Sequence, residues 1–151
     1  MNLTTSNLIH DKIASSYGFN INRSTTEYIK YNLLKKYAHV DKKVLDIGCA
    51  NGIYSLPIAH FFRSVTAIDI NEKLLGIFKD KIKKLNILNI EAMNYDARHL
   101  ENLGEDYDLI FSYSTLLLIP DLDKVLKQLA SVAVSNGKII LDITGRYNLS
   151  C

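Results

Sequence analysis

From Lys43 onward, short β-branched apolar runs alternate with stretches of helical period, and this alternation is what most restricts the fold. Lys43–Ile47, Val65–Ile70, Asn89–Met93, Leu109–Tyr113 and Lys138–Thr144 read as strands. Their near-continuous apolar character suits a parallel sheet covered on both faces, where an antiparallel sheet with one wet face would alternate. Between them, Asn71 can cap a helix whose Leu74, Phe78, Ile82 and Leu85 line one side, with Lys79, Lys81, Lys83 and Lys84 toward its end. Those lysines form either a solvated face complementing the helix dipole or a binding patch. Asp121 opens a later helix striped by Leu122, Val125, Leu126 and Leu129, and Ser135-Asn136-Gly137 turns the chain into the fifth strand. Five such units in file imply an α/β fold: a doubly wound, mostly parallel sheet with right-handed crossovers and helices on both faces.

Upstream, Ser24, Thr25 or Thr26 can cap a helix carrying Tyr28, Ile29, Leu33, Leu34 and Tyr37 at helical spacing. Residues 1–24 are polar and mixed, and are expected to form an arm or lid over the domain at 25–151. At 151 residues and 48% hydrophobic composition the chain suits one globular domain. A formal net charge of +2 makes no electrostatic case for nucleic acid. The longest apolar runs are too short to span a bilayer, and the first ten residues lack the basic start and apolar core of a secretion signal. Cys49 and Cys151 are far apart in sequence, which points to a reduced, cytoplasmic setting. His10, His39, His60 and His99 share no metal-ligand spacing, so no metal is expected.

Ligands of doubly wound sheets bind outside the carboxyl ends of the strands. The first strand ends in Asp46-Ile47-Gly48-Cys49-Ala50-Asn51-Gly52. A phosphate loop would need Gly-Lys-Ser/Thr, but Ile53 and Tyr54 follow Gly52. A dinucleotide loop would need glycines where Ala50 and Ile53 stand. The segment Val44 to Gly52 instead resembles the Asp/Glu-x-Gly-x-Gly-x-Gly first motif of class I S-adenosylmethionine-dependent methyltransferases, with Ala50 in place of the middle glycine. An acid at the strand end suits a cofactor that carries a sulfonium and an ammonium.

That resemblance extends from about Ile13 to Arg146. It implies that Asp46, Gly48, Cys49, Ala50 and Gly52 hold the cofactor and that Asp69, with Ile70 beside it, receives the ribose hydroxyls. Tyr95-Asp96-Ala97-Arg98 resembles the adenine-contacting loop, with Asp96 accepting the exocyclic amine and the Ala97 amide facing a ring nitrogen. Tyr107 to Ser112 resembles the fourth motif, placing Ser112 at the cofactor. Leucines stand where many small-molecule methyltransferases carry histidines before Pro120-Asp121, so no catalytic histidine carries over. Ile13-Ala14-Ser15-Ser16-Tyr17 resembles the segment whose tyrosine closes over the cofactor, which makes Tyr17 the catalytic-site candidate. Family members continue past the fifth strand into a β-hairpin. With seven residues after Thr144, the chain is expected to be a fragment, or to have its edge strand 138–144 covered by another chain, as in a homodimer.

Simpler roles stay open for several of these residues. Asp46 and Gly48 could merely build a tight turn, Asp69 could serve the following helix, and Asp96 could bond its own backbone. Asp108 suits a structural part, Cys49 a packing one, and Asp142 could face the site or be a satisfied buried carboxylate. The implied activity is methyl transfer to a small-molecule acceptor. The alternatives are a truncated domain that only binds the cofactor, and an NAD-linked oxidoreductase, which Ala50 and Ile53 disfavour.

Overall fold

A computed structural model describes residues 25–104 and 106–142. Tyr17 and the rest of the arm expected at 1–24 lie outside the described residues. The elements run α1 (Thr25–Lys36), β1 (His39–Ile47), α2 (Ser55–Ile58), β2 (Phe62–Asp69), α3 (Glu72–Lys84), β3 (Ile90–Asn94), β4 (Tyr107–Ser112), α4 (Leu122–Val132) and β5 (Ala133–Leu141). All strand pairs are parallel, in the order β3-β2-β1-β4-β5. The chain therefore leaves β1 in one direction for β2 and β3, then returns to the other side of β1 for β4 and β5. The switch point falls between β1 and β4, whose onward connections leave in opposite directions along the sheet.

The central strands are buried as their composition requires. Val44, Leu45, Ile47, Val65, Ile68, Leu109, Ile110 and Phe111 are all 1% exposed or less. One cluster packs Leu45, Ile47 and Ile110 against Val125 and Leu129 of α4; another packs Val44, Val65 and Phe111 against Tyr31 and Leu34 of α1. The sheet is thus covered on both faces, as expected for strands of this composition. Asn71 caps α3 by accepting the Leu74 N–H at 3.1 Å.

Several boundaries differ from expectation. The β1–β2 connection holds one helical turn and a 3₁₀ turn at Ala59–Phe61, and β3–β4 holds only a 3₁₀ segment at Ala97–Asn102, so not every crossover is a full helix. Ser135-Asn136-Gly137 lies inside β5, yet the expected turn is present as a bulge. Between the pairs Tyr107↔Ala133 and Leu109↔Lys138 the register breaks, and Asn136 sits at a φ of +67°. Asp121 precedes α4 in the left-handed conformation, and its carbonyl, not its side chain, meets the first helical N–H groups. In α1 the buried pair is Tyr31 and Leu34, while Tyr28, Ile29 and Leu33 are exposed. The apolar stripe expected there was misphased because two charged residues, Glu27 and Lys30, share the inward face.

Candidate functional site

The loop after β1 folds back on its neighbour. Both Gly48 and Cys49 donate their N–H groups to the Ile68 carbonyl, at 2.8 and 3.0 Å, and Gly52 donates to the Cys49 carbonyl. Such a bend requires left-handed backbone at three positions: φ is +79° at Gly48, +48° at Ala50 and +82° at Gly52. Ala50 therefore keeps the backbone conformation that a glycine would adopt more easily. Each glycine is also needed for space. A Cβ on Gly48 would fall 2.0 Å from Thr115 Oγ1, and one on Gly52 would fall 2.2 Å from the Phe78 ring. We expect Ala50→Gly to leave stability within about 1 kcal/mol, because relief of the left-handed strain is offset by unfolded-state entropy. Ala50→Val should lose about 2 kcal/mol, since a β-branched residue resists positive φ. Thermal unfolding of the pair checks both, and a Val variant as stable as Gly would discredit the loop geometry.

Asp69 secures this bend from β2. One carboxylate oxygen accepts the Ala50 N–H and the other the Asn71 N–H, each at 2.8 Å. Part of its role is therefore local, and lone pairs remain for further donors. Asp46 is 3% exposed and accepts a hydrogen bond from Ser55 Oγ at 2.5 Å. Burial pushes its carboxyl up to about 7; the Ser55 hydroxyl opposes the rise and the Asp69 charge adds to it. Cys49 is a free, buried thiol, and burial together with Asp46 and Asp69 pushes its ionisation well upward, so it is no nucleophile.

A cavity of about 280 Å³ opens at the switch point, walled by Asp46, Gly48, Cys49 and Ala50 from the loop. Tyr54, Tyr113 and Ser114 line it too, and Thr26, Glu27 and Lys30 of α1 close it. Tyr54 and Tyr113 meet edge to face, with ring centroids 4.8 Å apart. Burial first, then the nearby charges of Glu27, Asp142 and Asp46, push the Tyr54 hydroxyl up to about 12, so it stays protonated at neutral pH. The α1 residues and both tyrosines escaped the sequence reading. The available signal was a charged residue at each of two positions on the same helical face as Tyr31 and Leu34.

The other expected residues are distributed along the carboxyl edge of the sheet. Ile70 follows Asp69 and is 72% exposed. The Tyr95 N–H donates to the Asp69 carbonyl and Asn94 Nδ2 to the Ile70 carbonyl, which sets the loop after β3 beside the Asp69–Ile70 corner. In that loop Asp96 caps the 3₁₀ segment through the Arg98 N–H and also takes a bidentate grip from the Arg98 guanidinium, which holds its carboxyl down at about 2. Ala97 is buried beneath it. Ser112 is not brought to the cavity: it is fully buried, and its hydroxyl donates to the Ile47 carbonyl at 2.9 Å, tying β4 to β1. A side chain within the sheet alternates faces, and Tyr113 and Ser114 hold the rim instead. Asp108 accepts the Lys43 N–H at 2.8 Å, a structural role.

Comparison with known proteins places this architecture. A family model described as a methyltransferase domain matches residues 44–137, well over half of the chain. The chain belongs to this family. A curated relative, the ubiquinone biosynthesis O-methyltransferase of Coxiella burnetii, is 30% identical over 129 residues, covering 83% of this chain and 52% of that protein. The ribosomal RNA small subunit methyltransferase G of Mycoplasma capricolum is 28% identical over 87 residues, or 56% of this chain and 38% of that one. Among solved structures, the N-methyltransferase NodS of Bradyrhizobium japonicum, in complex with S-adenosylhomocysteine, superposes with a TM-score of 0.68 at 18% identity. That match covers 80% of this chain and 63% of NodS, and it shows the methyltransferase fold. The chain spans about half the length of the curated relatives it matches.

Proposed function

We propose that this domain binds S-adenosylmethionine at the carboxyl end of β1 and passes its methyl group to a small-molecule acceptor. The observation that carries this reading is the site's donor set: a buried carboxylate, Asp46, beside glycine-rich backbone with no phosphate-binding lysine in the loop. Two carboxylates of the lining, Asp46 and Glu27, suit a ligand bearing an ammonium and a sulfonium. A cavity of about 280 Å³ lies at the low end for small-ligand sites, so it takes the charged amino-acid end. The nucleoside extends outward over Ala50 toward Asp69 and Ile70, with the Asp96–Ala97 corner next along the edge.

When bound, the cofactor supplies an activated methyl group, so the chain's own task is to align an acceptor and exclude water. Tyr54, Tyr113 and Ile53 give the cavity an apolar wall for that purpose, and Asp46 supplies a negative charge once it gives up its proton. The near-balanced net charge favours a small acceptor over RNA. Among the described residues no helix is long and apolar enough to cross a membrane. The buried free Cys49 suits a reduced, cytoplasmic setting. The outer edge of β5, with Ile139 exposed, is the surface a second chain would cover.

Calorimetry with S-adenosylhomocysteine and with NAD tests the ligand. Binding of the first and not the second is expected, and the reverse would defeat the proposal. Asp69→Ala should weaken the nucleoside by about 1–3 kcal/mol through lost hydrogen bonds to a charged acceptor. An unchanged affinity would remove Asp69 from the site. Turnover against a metabolite mixture then separates catalysis from binding alone.

A further inference from the structure

Asp46 is deeply buried yet sparsely bonded. Among the described residues, one group donates a hydrogen bond to its carboxylate: the Ser55 hydroxyl, 2.5 Å from Oδ2. A carboxylate offers about four lone-pair sites, so Oδ1 is left for the cavity that Asp46 lines. The glycine loop delivers Ser55 to this place. Ser55 opens α2, and the next residue, Leu56, donates its N–H to the Gly52 carbonyl at 3.0 Å, so the first turn hangs from the bend that shapes the cavity. That turn has no side-chain cap, and the fully buried Ser55 hydroxyl is directed across to β1 instead.

The titratable groups that face Asp46 from the surrounding elements do not share this work. Burial first, then neighbouring charges, keeps Cys49, Tyr54 and Tyr113 in their neutral forms at neutral pH. Glu27 and Lys30 of α1 carry opposite charges, and Lys30 is paired with Asp142 at the end of β5. Asp69, at the end of β2, adds to the effect of burial and disfavours the Asp46 charge. Ser55 is the group that favours the ionised form, because a hydroxyl donated to a carboxylate stabilises the carboxylate.

We infer that Ser55 is a positioning residue for the ligand site: its hydroxyl claims one oxygen of Asp46 and leaves the other to the cavity, so the charge that meets a cationic ligand is aimed from α2. The inference rests on the ligand reading above and deepens it, since Ser55 lies outside the cavity lining and acts only through Asp46. A serine hydroxyl suits the task because it rotates freely. It donates to the carboxylate when a ligand is bound, and can accept from the carboxylic acid when the proton returns.

The test is the pH dependence of S-adenosylhomocysteine binding by the full chain, followed calorimetrically from about pH 5.5 to about pH 9. Ser55→Ala should weaken binding about 5–10-fold near pH 7 and less than about threefold near pH 9. The rise of affinity with pH should move about one pH unit higher, as expected when the ionised acid loses a hydrogen bond. Ser55→Thr, which keeps the hydroxyl, should restore the parent's profile, and Ser55→Cys, a weaker donor of similar size, should fall between. On an Asp46→Asn background Ser55→Ala should cost less than about twofold, because no charge remains to be aimed. A Ser55→Ala protein with the parent's pH profile would overturn the inference; where that variant does not fold, the parent's profile in Ser55→Cys would do the same. A loss equal at every pH, and as large with Asn at position 46, would reduce Ser55 to packing and overturn it too. Failure of the unsubstituted chain to bind S-adenosylhomocysteine at any pH would instead defeat the ligand reading itself, and this positioning role with it.

Discussion

Gly52→Ala is expected to lower the unfolding free energy by about 2–4 kcal/mol and the melting temperature by on the order of 10 °C. Two effects combine. The added methyl would sit 2.2 Å from the Phe78 ring, which is fully buried with Cys49, Ala67 and Leu75 and has no open space to move into. Overpacking of this kind costs roughly 1–3 kcal/mol. The φ of +82° adds a left-handed penalty of about 1 kcal/mol for any residue with a Cβ. Gly76 supplies the control from the same helix as Phe78. Nothing lies within 4 Å of its missing Cβ and its φ is not left-handed, so Gly76→Ala should stabilise by up to about 1 kcal/mol through helix propensity. If Phe78 is the obstacle, trimming it in Gly52→Ala/Phe78→Leu should recover part of the loss, a non-additivity expected only of residues in contact. Thermal melts of the three variants decide the matter: equal stability for Gly52→Ala and the parent would mean that the loop is not packed against α3.

The central strands β1, β2 and β4 were legible because each carries a run buried on both faces and so is written as a nearly unbroken apolar stretch, whereas the edge strands β3 and β5 are only partly buried. Val65 to Ile68 illustrates this, and its neighbour Val44 to Ile47 in β1 shares the pattern. The glycine loop was legible for a related reason: positive φ and close packing leave few residue types to choose from. Helix α1 was less so. Its inward face mixes Tyr31 and Leu34 with Glu27 and Lys30, and a stripe that serves a charged cavity does not stand out by hydrophobicity. Tertiary hydrogen bonds were also invisible. Ser112 had the right place in the motif, but only the β1–β4 pairing shows its hydroxyl committed to Ile47. Asp142 was left open between a site residue and a satisfied carboxylate. The structure makes it the latter in its bonds to Lys30 and Ser114, and through them it reaches the cavity wall.

Asp46→Asn is expected to make the protein more stable at neutral pH and a poorer binder of a cationic ligand. The carboxyl is raised from its ordinary 3.8 to about 7, chiefly by burial, and the Asp69 charge works in the same direction. An acid whose folded pKa lies above its unfolded one holds its proton more tightly in the native state. Its ionisation therefore penalises folding progressively as pH rises from about 4 to 7, and the penalty is complete above that window. A shift of this size corresponds to a few kcal/mol. Removing the charge should flatten the pH dependence of stability across that window and raise the melting temperature at pH 8. Binding obeys the opposite sign. An ammonium or sulfonium beside Asp46 favours the carboxylate, so affinity for S-adenosylmethionine should climb with pH up to about 7, and binding near pH 6.5 should release a proton. Calorimetry in two buffers of different ionisation enthalpy reads that proton directly. In Asp46→Asn the release should vanish and the affinity fall by about 10–100-fold. A variant that binds with wild-type affinity at every pH would separate Asp46 from the cationic end of the ligand. A buried acid that weakens the fold and strengthens the complex is then the physical reason why so unfavourable a group sits at the end of the central strand.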